Sequence, residues 1–318
     1  MRRQAAALVT AAVLALSGCG LAQNTAVPFT VTPGSIRPVP ALEDVTITVG
    51  SKDFTEQILV GYMAELALSA AGADVRDLTN IQGSSNSRLA LLTGDIDLTW
   101  EYTGTGWINY LGNTEPVPGE QAQYEAVRDA DLRQNGVRWL PYSELNNTYA
   151  FGVTEAYAQE HDLRTTSDMT AFLQENPDEA IFCVETEFAS RQDGLPGVQA
   201  TYGFPTTEVK TFGTGAIYAG IANGTCNFGE IFTTDGRVQS LGLTPFEDDK
   251  KFFPNYNPAL NVRADVYNRY PAMQKVIEPV FQKLDNPTMT QLNAKVSAEG
   301  EEPKTVAEEW LKQNGFIG

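Results

Sequence analysis

Histidine and cysteine are scarce in this chain, which has one histidine, His161, and three cysteines among 318 residues. Transition-metal sites and histidine-based catalysis therefore have few side chains to use, and we expect neither a metal nor a cofactor. Basic residues are also few, with 22 Lys+Arg against 40 Asp+Glu and a formal net charge of -18. Because a nucleic-acid binder needs a basic surface to neutralise phosphates, this balance argues against nucleic acid as a partner.

Long apolar runs are absent except over residues 5–16, which follow two arginines and are too short for a permanent membrane helix. The run ends in Leu16-Ser17-Gly18-Cys19, which resembles the bacterial lipobox, whose cysteine is lipidated and becomes the mature N-terminus. The alternative is an ordinary signal peptide with a chance cysteine. We predict a signal peptide over 1–18, lipidation at Cys19 and a proline-rich tether over 19–44. The protein would then be lipid-anchored at the extracytoplasmic face of the cell membrane.

The remaining cysteines, Cys183 and Cys226, each lie in a short apolar run that predicts a strand. Outside the cytoplasm the pair can be oxidised, and adjacent parallel strands would bring the two sulfurs together. Such a disulfide would stabilise the fold by roughly 4 kcal/mol on the chain-entropy model. The alternative is two buried free thiols. No plausible base accompanies either residue, so a catalytic cysteine is not expected.

From Val45 onward, short β-branched runs alternate with amphipathic stretches, which predicts an α/β fold with parallel sheets covered by helices. Ligands of such folds bind at the carboxyl ends of the strands. The predicted strands lie at 45–50, 96–102, 138–143, 149–154, 180–185 and 226–232. The clearest predicted helices lie at 55–72, 271–285, 287–297 and 303–314.

An internal repeat is visible when residues 91–106 are laid over residues 221–236. Both segments contain a helix end, a glycine, a short buried strand, an aromatic residue and a threonine. Tyr102 then corresponds to Phe232. The alternative is that any two strand–helix units share such a pattern of glycine, aromatic residue and threonine by chance. We favour a duplication, in which two related lobes face each other and each offers an aromatic ring from an equivalent strand end.

Six segments resemble the substrate-binding proteins of osmoprotectant ABC importers, which bind glycine betaine, choline and carnitine. They are VGSKDFTEQ (49–57), GDIDLTWEYTGT (94–105), NNTYA (146–150), RQDGLPG (191–197), FTTDGR (232–237) and DDKKFFPNYNPA (248–259). The resemblance implies the type II periplasmic-binding-protein fold, in which two chain crossings join two α/β lobes around a ligand cleft. Lobe I would comprise 45–146 plus 256–318, and lobe II 147–255.

A quaternary ammonium ion has no N–H, so a pocket holds it through aromatic faces, each contributing roughly 0.5–2 kcal/mol when water is excluded. At the positions that match the motifs, the resemblance implies a cage of Tyr102, Tyr149, Phe232 and Tyr256. The cage of the family is commonly all tyrosine, so Phe232 is a departure that can change ligand choice. The alternative is that these rings belong to the core.

A ligand that also carries a carboxylate needs donors at its other end. The resemblance implies Lys52, Gln57, Thr105 and Arg191 for this task, with Asn147 as a weaker candidate. The planar fork of an arginine matches a carboxylate best. Relatives tuned to choline tend to carry an acid where this chain has Thr105, and a neutral hydroxyl tolerates a carboxylate. Lys52 and Arg191 are surface charges in the alternative interpretation.

The implied function is delivery of a quaternary ammonium osmoprotectant to an ABC permease by a monomeric, non-enzymatic binding protein. Two alternatives keep the fold: a binder of a bulkier solute, and a protein that feeds a signalling receptor. A secreted hydrolase is a third, less favoured alternative. The chain has no GxSxG, HExxH or Walker motif, but its many acids leave a glycosidase-like carboxylate pair open.

Overall fold

Two five-stranded sheets organise the chain in the computed structural model, which describes residues 31–318. The predicted signal peptide and Cys19 lie outside the described residues. The strands are β1 (Thr46–Lys52), β2 (Asp74–Ile81), β3 (Leu98–Tyr102), β4 (Val137–Trp139), β5 (Tyr149–Thr154), β6 (Ile181–Glu185), β7 (Glu208–Phe212), β8 (Phe228–Phe232), β9 (Leu243–Pro245) and β10 (Pro258–Arg263). The first sheet has the order β2-β1-β3-β10-β4 and the second β7-β6-β8-β5-β9.

Thirteen helices are found in the described residues. They are α1 (Thr55–Ala70), α2 (Gly83–Thr93), α3 (Thr103–Thr105), α4 (Glu120–Asn135), α5 (Glu155–Glu160), α6 (Thr166–Glu175), α7 (Leu195–Tyr202), α8 (Thr214–Ala222), α9 (Arg237–Ser240), α10 (Ala264–Arg269), α11 (Ala272–Phe281), α12 (Asn286–Ser297) and α13 (Pro303–Gln313). A π-helical turn, Gly106–Tyr110, continues α3, and a 3₁₀ turn, Pro177–Glu179, precedes β6. No helix within residues 31–318 is long and apolar enough to cross a membrane.

The two sheets have matching topology. In each sheet the third strand, β3 or β8, lies beside two parallel strands on one side and an antiparallel strand on the other. The two segments aligned in the repeat therefore occupy equivalent places, and Tyr102 and Phe232 end equivalent strands. The matching topology favours an internal duplication over a chance resemblance between two strand–helix units.

The predicted parallel pairing holds for β1, β2 and β3 and for β6, β7 and β8, but both sheets are mixed. Strand β10 runs antiparallel to β3 and β4, and β5 runs antiparallel to β8 and β9. Each antiparallel strand is the first strand along the chain after a passage from one sheet to the other, so it begins at the cleft side of its sheet. The strand predicted over 138–143 is also too long, because Pro141 has no N–H for the ladder.

The chain passes between the sheets twice, after β4 and again after β9. The segments NNTYA (146–150) and PNYNP (254–258) lie on these two passages. Their backbones are joined, since the N–H of Asn147 donates to the carbonyl of Tyr256 at 3.2 Å. The side-chain oxygen of Asn146 accepts from the N–H of Tyr256 at 2.9 Å. The two passages therefore form one connected unit beside the cleft.

Residues 31–44 are not the free tether that the proline content predicts. Leu42 is fully buried and Ile36 is 8% exposed, both in the core of the first sheet. The N–H of Ser35 donates to the carbonyl of Gly315 at 2.8 Å, and that of Val39 to Ala71 at 2.8 Å. The apolar residues spaced among the prolines anchor this stretch to the domain, so the described part of the predicted tether is packed.

A disulfide joins Cys183, in β6, to Cys226, just before β8, with the Cα atoms 5.7 Å apart. Strands β6 and β8 are parallel neighbours, which is the arrangement the sequence argument requires. The pair lies beneath α8 in a small apolar cluster of the second sheet. It crosslinks the strand that carries Phe232 to the strand beside it.

Candidate functional site

A chamber of about 30 Å³ lies between the two sheets, where the central strands of each end. Lys52 ends β1, Tyr102 ends β3 and Phe232 ends β8, so the carboxyl ends of the parallel strands face the same space. The fourteen lining residues are Lys52, Asp53, Phe54, Gly83, Ser84, Tyr102, Thr105, Asn147, Tyr149, Glu185, Glu187, Arg191, Phe232 and Tyr256. All the predicted ligand-binding residues except Gln57 are among them.

All four predicted cage rings belong to this wall. Tyr149 lies opposite Phe232 in the antiparallel ladder of β5 and β8, and their ring centroids are 5.1 Å apart. Tyr256 meets Tyr149 edge to face at 5.2 Å. Tyr102 comes from the first sheet, so the rings are contributed from both sides of the cleft. The alternative that these rings are only core residues is incomplete, because the buried rings also line a cavity.

Phe54 is a fifth ring, which the sequence argument missed. It is half-buried and stacks on Phe232 with a centroid distance of 5.1 Å and on Tyr102 at 6.2 Å. Phe54 also lines a second, open groove of about 840 Å³ that adjoins the chamber. The ring therefore stands between chamber and groove. Its signal is present in VGSKDFTEQ, directly after Lys52.

The tyrosine hydroxyls are buried and uncharged. Burial raises the pKa of Tyr102, Tyr149 and Tyr256 well above the ordinary value of a phenol. The hydroxyl of Tyr102 donates to Glu56 at 2.7 Å, and that of Tyr256 donates to Asp193 at 2.7 Å. These bonds fix the orientation of two rings, while the faces remain neutral π surfaces.

Arg191 comes from the second lobe and is 6% exposed. Its Nε donates to Asp193 at 2.7 Å and its Nη1 to Glu187 at 2.9 Å. Its Nη2 donates to Asp193 at 2.5 Å and to the Thr105 hydroxyl at 3.2 Å, and Thr105 belongs to the first lobe. The guanidinium is therefore held in place by two acids and reaches across the cleft.

Lys52 is also paired, since its Nζ donates to Glu101 at 2.7 Å and to the Ser84 hydroxyl at 3.2 Å. Gln57 does not line the chamber: its side-chain oxygen accepts from the backbone N–H of Lys52 at 3.3 Å. Gln57 thus supports the end of β1 from behind. Asn147 lines the chamber and donates its amide to Glu56 at 3.0 Å.

Carboxylates are also part of the chamber wall, since Asp53, Glu185 and Glu187 are among its lining residues. Although burial works against the charged form, Arg191 and Lys52 hold the pKa of Glu187 below its usual value. Burial raises the pKa of Glu185, which accepts from the Thr214 hydroxyl at 2.9 Å. Burial also raises the pKa of Glu230 well above its usual value, with Glu185 adding to the effect. Glu187 therefore places a negative charge at the chamber wall, which favours a cation, while burial disfavours the charged forms of Glu185 and Glu230.

The lining side chains match a small molecule with a cationic, methylated end against the rings and an acceptor toward Arg191 and Thr105. At about 30 Å³ the chamber has to widen, by movement of the rings or of the lobes, before such a molecule fits. The lobes touch across the chamber, because the N–H of Ser84 donates to Glu187 at 2.9 Å. Within residues 31–318 no three His, Cys, Asp or Glu side chains are grouped so as to hold a metal ion. A bound ligand would be enclosed by both lobes.

Residues 45–313 match the family described as the substrate binding domain of ABC-type glycine betaine transport systems. The chain belongs to this family. It is therefore a substrate-binding protein, and such proteins are not enzymes.

A glycine-betaine-binding protein of Pseudomonas aeruginosa is 34% identical over 86% of this chain and 89% of that protein. An ergothioneine transport permease/binding protein of Helicobacter pylori is 30% identical over 88% of this chain, which spans about half (49%) of its length. A solved structure titled as a glycine betaine/carnitine/choline ABC transporter has a TM-score of 0.70 and 24% identity, covering 86% of this chain and 99% of that one. This last likeness concerns the fold, which is that of the type II periplasmic binding proteins.

Proposed function

We propose that this substrate-binding protein carries a quaternary ammonium osmoprotectant, glycine betaine first, to an ABC import permease. The observation that carries the proposal is the chamber itself, where rings from both sides of the cleft converge. A quaternary ammonium group has no N–H to donate, and neutral aromatic faces attract its charge by roughly 0.5–2 kcal/mol each. Carnitine and choline share this end and are further candidates.

The carboxylate of glycine betaine would lie toward Arg191 and Thr105. The guanidinium is buried and oriented, and the hydroxyl of Thr105, which accepts from it at 3.2 Å, can still donate its own proton. Lys52 and Asn147 line the same chamber and are further donors. An acid at 105 would repel the carboxylate, whereas threonine accommodates it.

The ligand would close the cleft by touching both lobes. Lobe I, 45–146 plus 256–318, supplies Tyr102 and Thr105, and lobe II, 147–255, supplies Tyr149 and Arg191. Closure is driven when the ligand binds the closed arrangement more strongly than the open one. The permease can then respond to the closed shape of a monomeric binding protein.

A larger betaine is the second candidate. The groove of about 840 Å³ meets the chamber at Asp53, Phe54 and Glu187, so a substituent on the ligand has space to extend outward. Ergothioneine, which the Helicobacter pylori relative is named for, is a trimethylammonium carboxylate that carries a ring. The replacement of tyrosine by Phe232 in the cage is compatible with such a ligand.

Calorimetry of the mature protein against glycine betaine, choline, carnitine, proline and ergothioneine tests both candidates. Glycine betaine should bind most tightly under the first, and ergothioneine under the second. Proline, which lacks a quaternary nitrogen, serves as the control. Binding of proline alone would refute both candidates.

Lipidation at Cys19 would hold the protein at the extracytoplasmic face of the cell membrane. The support is the lipobox-like Leu16-Ser17-Gly18-Cys19 after the apolar run. Cys19→Ala should move the protein from the membrane fraction to the soluble fraction, as followed by fractionation and immunoblotting. Unchanged membrane association of this variant would contradict the proposal.

A further inference from the structure

The carboxylate of Glu56 lies behind the chamber, 2% exposed, where the two sheets meet. Its Oε1 accepts from the Tyr102 hydroxyl at 2.7 Å and from the Asn147 amide at 3.0 Å. Its Oε2 accepts from the Thr234 hydroxyl at 2.6 Å and from the Asn293 amide at 3.2 Å. One side chain thus receives four hydrogen bonds, two of them from residues that line the chamber.

The four donors come from four parts of the fold. Tyr102 ends β3 of the first sheet, and Asn293 lies in α12, which packs against α1 and α13. Thr234 follows β8 of the second sheet, and Asn147 lies on the first passage between the sheets. Because Glu56 itself belongs to the first turn of α1, its bond to Thr234 links the two lobes. Asn293 strengthens this link by donating to the Thr234 carbonyl at 2.9 Å.

The donors to Glu56 are all neutral, so hydrogen bonds rather than an opposite charge must offset its burial. Burial raises the pKa of Glu56, and the four donors act in the opposite direction. The first turn of a helix also favours negative charge. A buried carboxylate that loses a donor is strongly disfavoured. The full set of donors exists only when Thr234 is in place, that is, when the lobes are together.

We infer that Glu56 is a positioning residue whose carboxylate couples the orientation of the cage to closure of the cleft. The inference rests on the proposed function for what the cage binds. When the second lobe moves away, the Thr234 hydroxyl is withdrawn and Oε2 keeps Asn293 only. The carboxylate then rotates or takes up water, and Tyr102 and Asn147 lose the acceptor that fixes them. A ligand that closes the cleft therefore also orders the ring that it needs.

Thr234 offers a test outside the chamber, since it is not among the lining residues. Thr234→Val removes the hydroxyl at nearly constant volume, and Thr234→Ser keeps it. Calorimetry and stopped-flow should show about three- to tenfold weaker glycine betaine binding for the valine variant, with faster dissociation. The serine variant should stay within about twofold of wild type.

Closure is measured separately, with spin labels at two exposed positions, Glu125 in α4 and Glu160 in α5. Thr234→Val should lower the fraction of molecules at the short distance, and Thr234→Ser should restore it. A residue with a purely structural role would change the melting temperature without moving this distance distribution.

Glu56→Gln has a matched control in Glu65→Gln, because both glutamates are buried on α1. Glu65 makes none of the four bonds described above. Glu56→Gln should weaken glycine betaine binding about tenfold or more, while Glu65→Gln should bind as the wild type does.

Wild-type affinity and an unchanged closed fraction in both Thr234→Val and Glu56→Gln would overturn the inference. A wild-type protein that does not bind glycine betaine would refute the proposed ligand instead. The distance measurement on the unliganded protein still decides the coupling in that case, since loss of the Thr234 hydroxyl must lower the closed fraction.

Discussion

Replacing Arg191 by glutamine should separate glycine betaine from choline. The guanidinium bonds to Asp193, Glu187 and Thr105, so this buried cation at the proposed carboxylate end contacts both lobes. Arg191→Gln removes the charge but keeps an amide and most of the bulk. Asp193 and Glu187 then lose their common partner, and the electrostatic potential at this end becomes more negative.

The expected loss for glycine betaine is about 2–4 kcal/mol, or roughly 30- to 800-fold, the scale for removing one partner of a buried charge-assisted pair. Choline has no carboxylate, so the change should alter its affinity by less than about threefold. Its trimethylammonium end still meets Tyr102, Tyr149 and the other rings. The ratio of the two affinities is therefore a sharper measure than either affinity alone.

Calorimetry with both ligands on wild type, Arg191→Gln and Arg191→Lys gives this ratio. The lysine variant keeps the charge and loses the planar fork, so its glycine betaine affinity should lie between the other two. Melting temperatures of the three proteins control for damage to the Asp193 and Glu187 pairs. Equal losses for both ligands would refute the reasoning, because Arg191 would then hold the lobes together without contacting the ligand.

Three further predictions concern the cage and the helix behind it. Tyr149→Ala should weaken quaternary ammonium binding by roughly 1–2 kcal/mol in calorimetry, and Tyr149→Phe should cost little; Tyr102→Phe should cost more, because its hydroxyl bonds to Glu56 at 2.7 Å. Phe54→Ala should weaken tetramethylammonium up to tenfold and shift preference toward larger betaines, and unchanged size selectivity would contradict its role as a partition. Burial raises the pKa of Glu65 to about 9. Between about pH 4.5 and pH 9 the folded state therefore keeps a proton that the unfolded state releases, so the free energy of unfolding should fall as the pH rises through this range. Glu65→Gln should flatten this dependence and stabilise the protein by about 1–3 kcal/mol at pH 8 in denaturant titrations, and an unchanged pH profile would contradict the assignment.

The alternation of strands and helices could be predicted because each element has a local sequence pattern, a run of apolar residues with a characteristic period. Strand β5 and helix α13 begin where the sequence predicts them, at Tyr149 and Pro303. The direction of a strand within its sheet leaves no such local pattern in the sequence. The antiparallel direction of β10 and β5 therefore cannot be predicted from the sequence. The tether prediction for residues 31–44 is wrong for a related reason. Prolines are frequent in this segment, but burial of Ile36 and Leu42 in the core determines where the segment lies.

The cage could be predicted because its rings sit at strand ends within recognisable motifs. The roles of the acids could not be predicted, because an acid near the cage matters only through the groups that it contacts in the folded chain. Asp193 lies in the same motif as Arg191, and Glu56 lies in the same motif as Lys52. Their roles depend on contacts across the fold, such as Tyr256 with Asp193, that separation along the chain conceals.

The pairing of Arg191 has two opposite effects on a ligand carboxylate. Asp193 and Glu187 compensate its charge, which lowers the attraction that a second carboxylate would feel. They also hold the fork in one orientation, and an arginine side chain otherwise gives up about 2 kcal/mol of rotamer entropy when it is fixed. Glycine betaine is neutral overall, so the first effect is weaker for it than for a simple anion, while the second is retained in full. Preorganisation therefore outweighs charge compensation for a zwitterion, and the loss on Arg191→Gln should fall near the upper end of its range, about 4 kcal/mol.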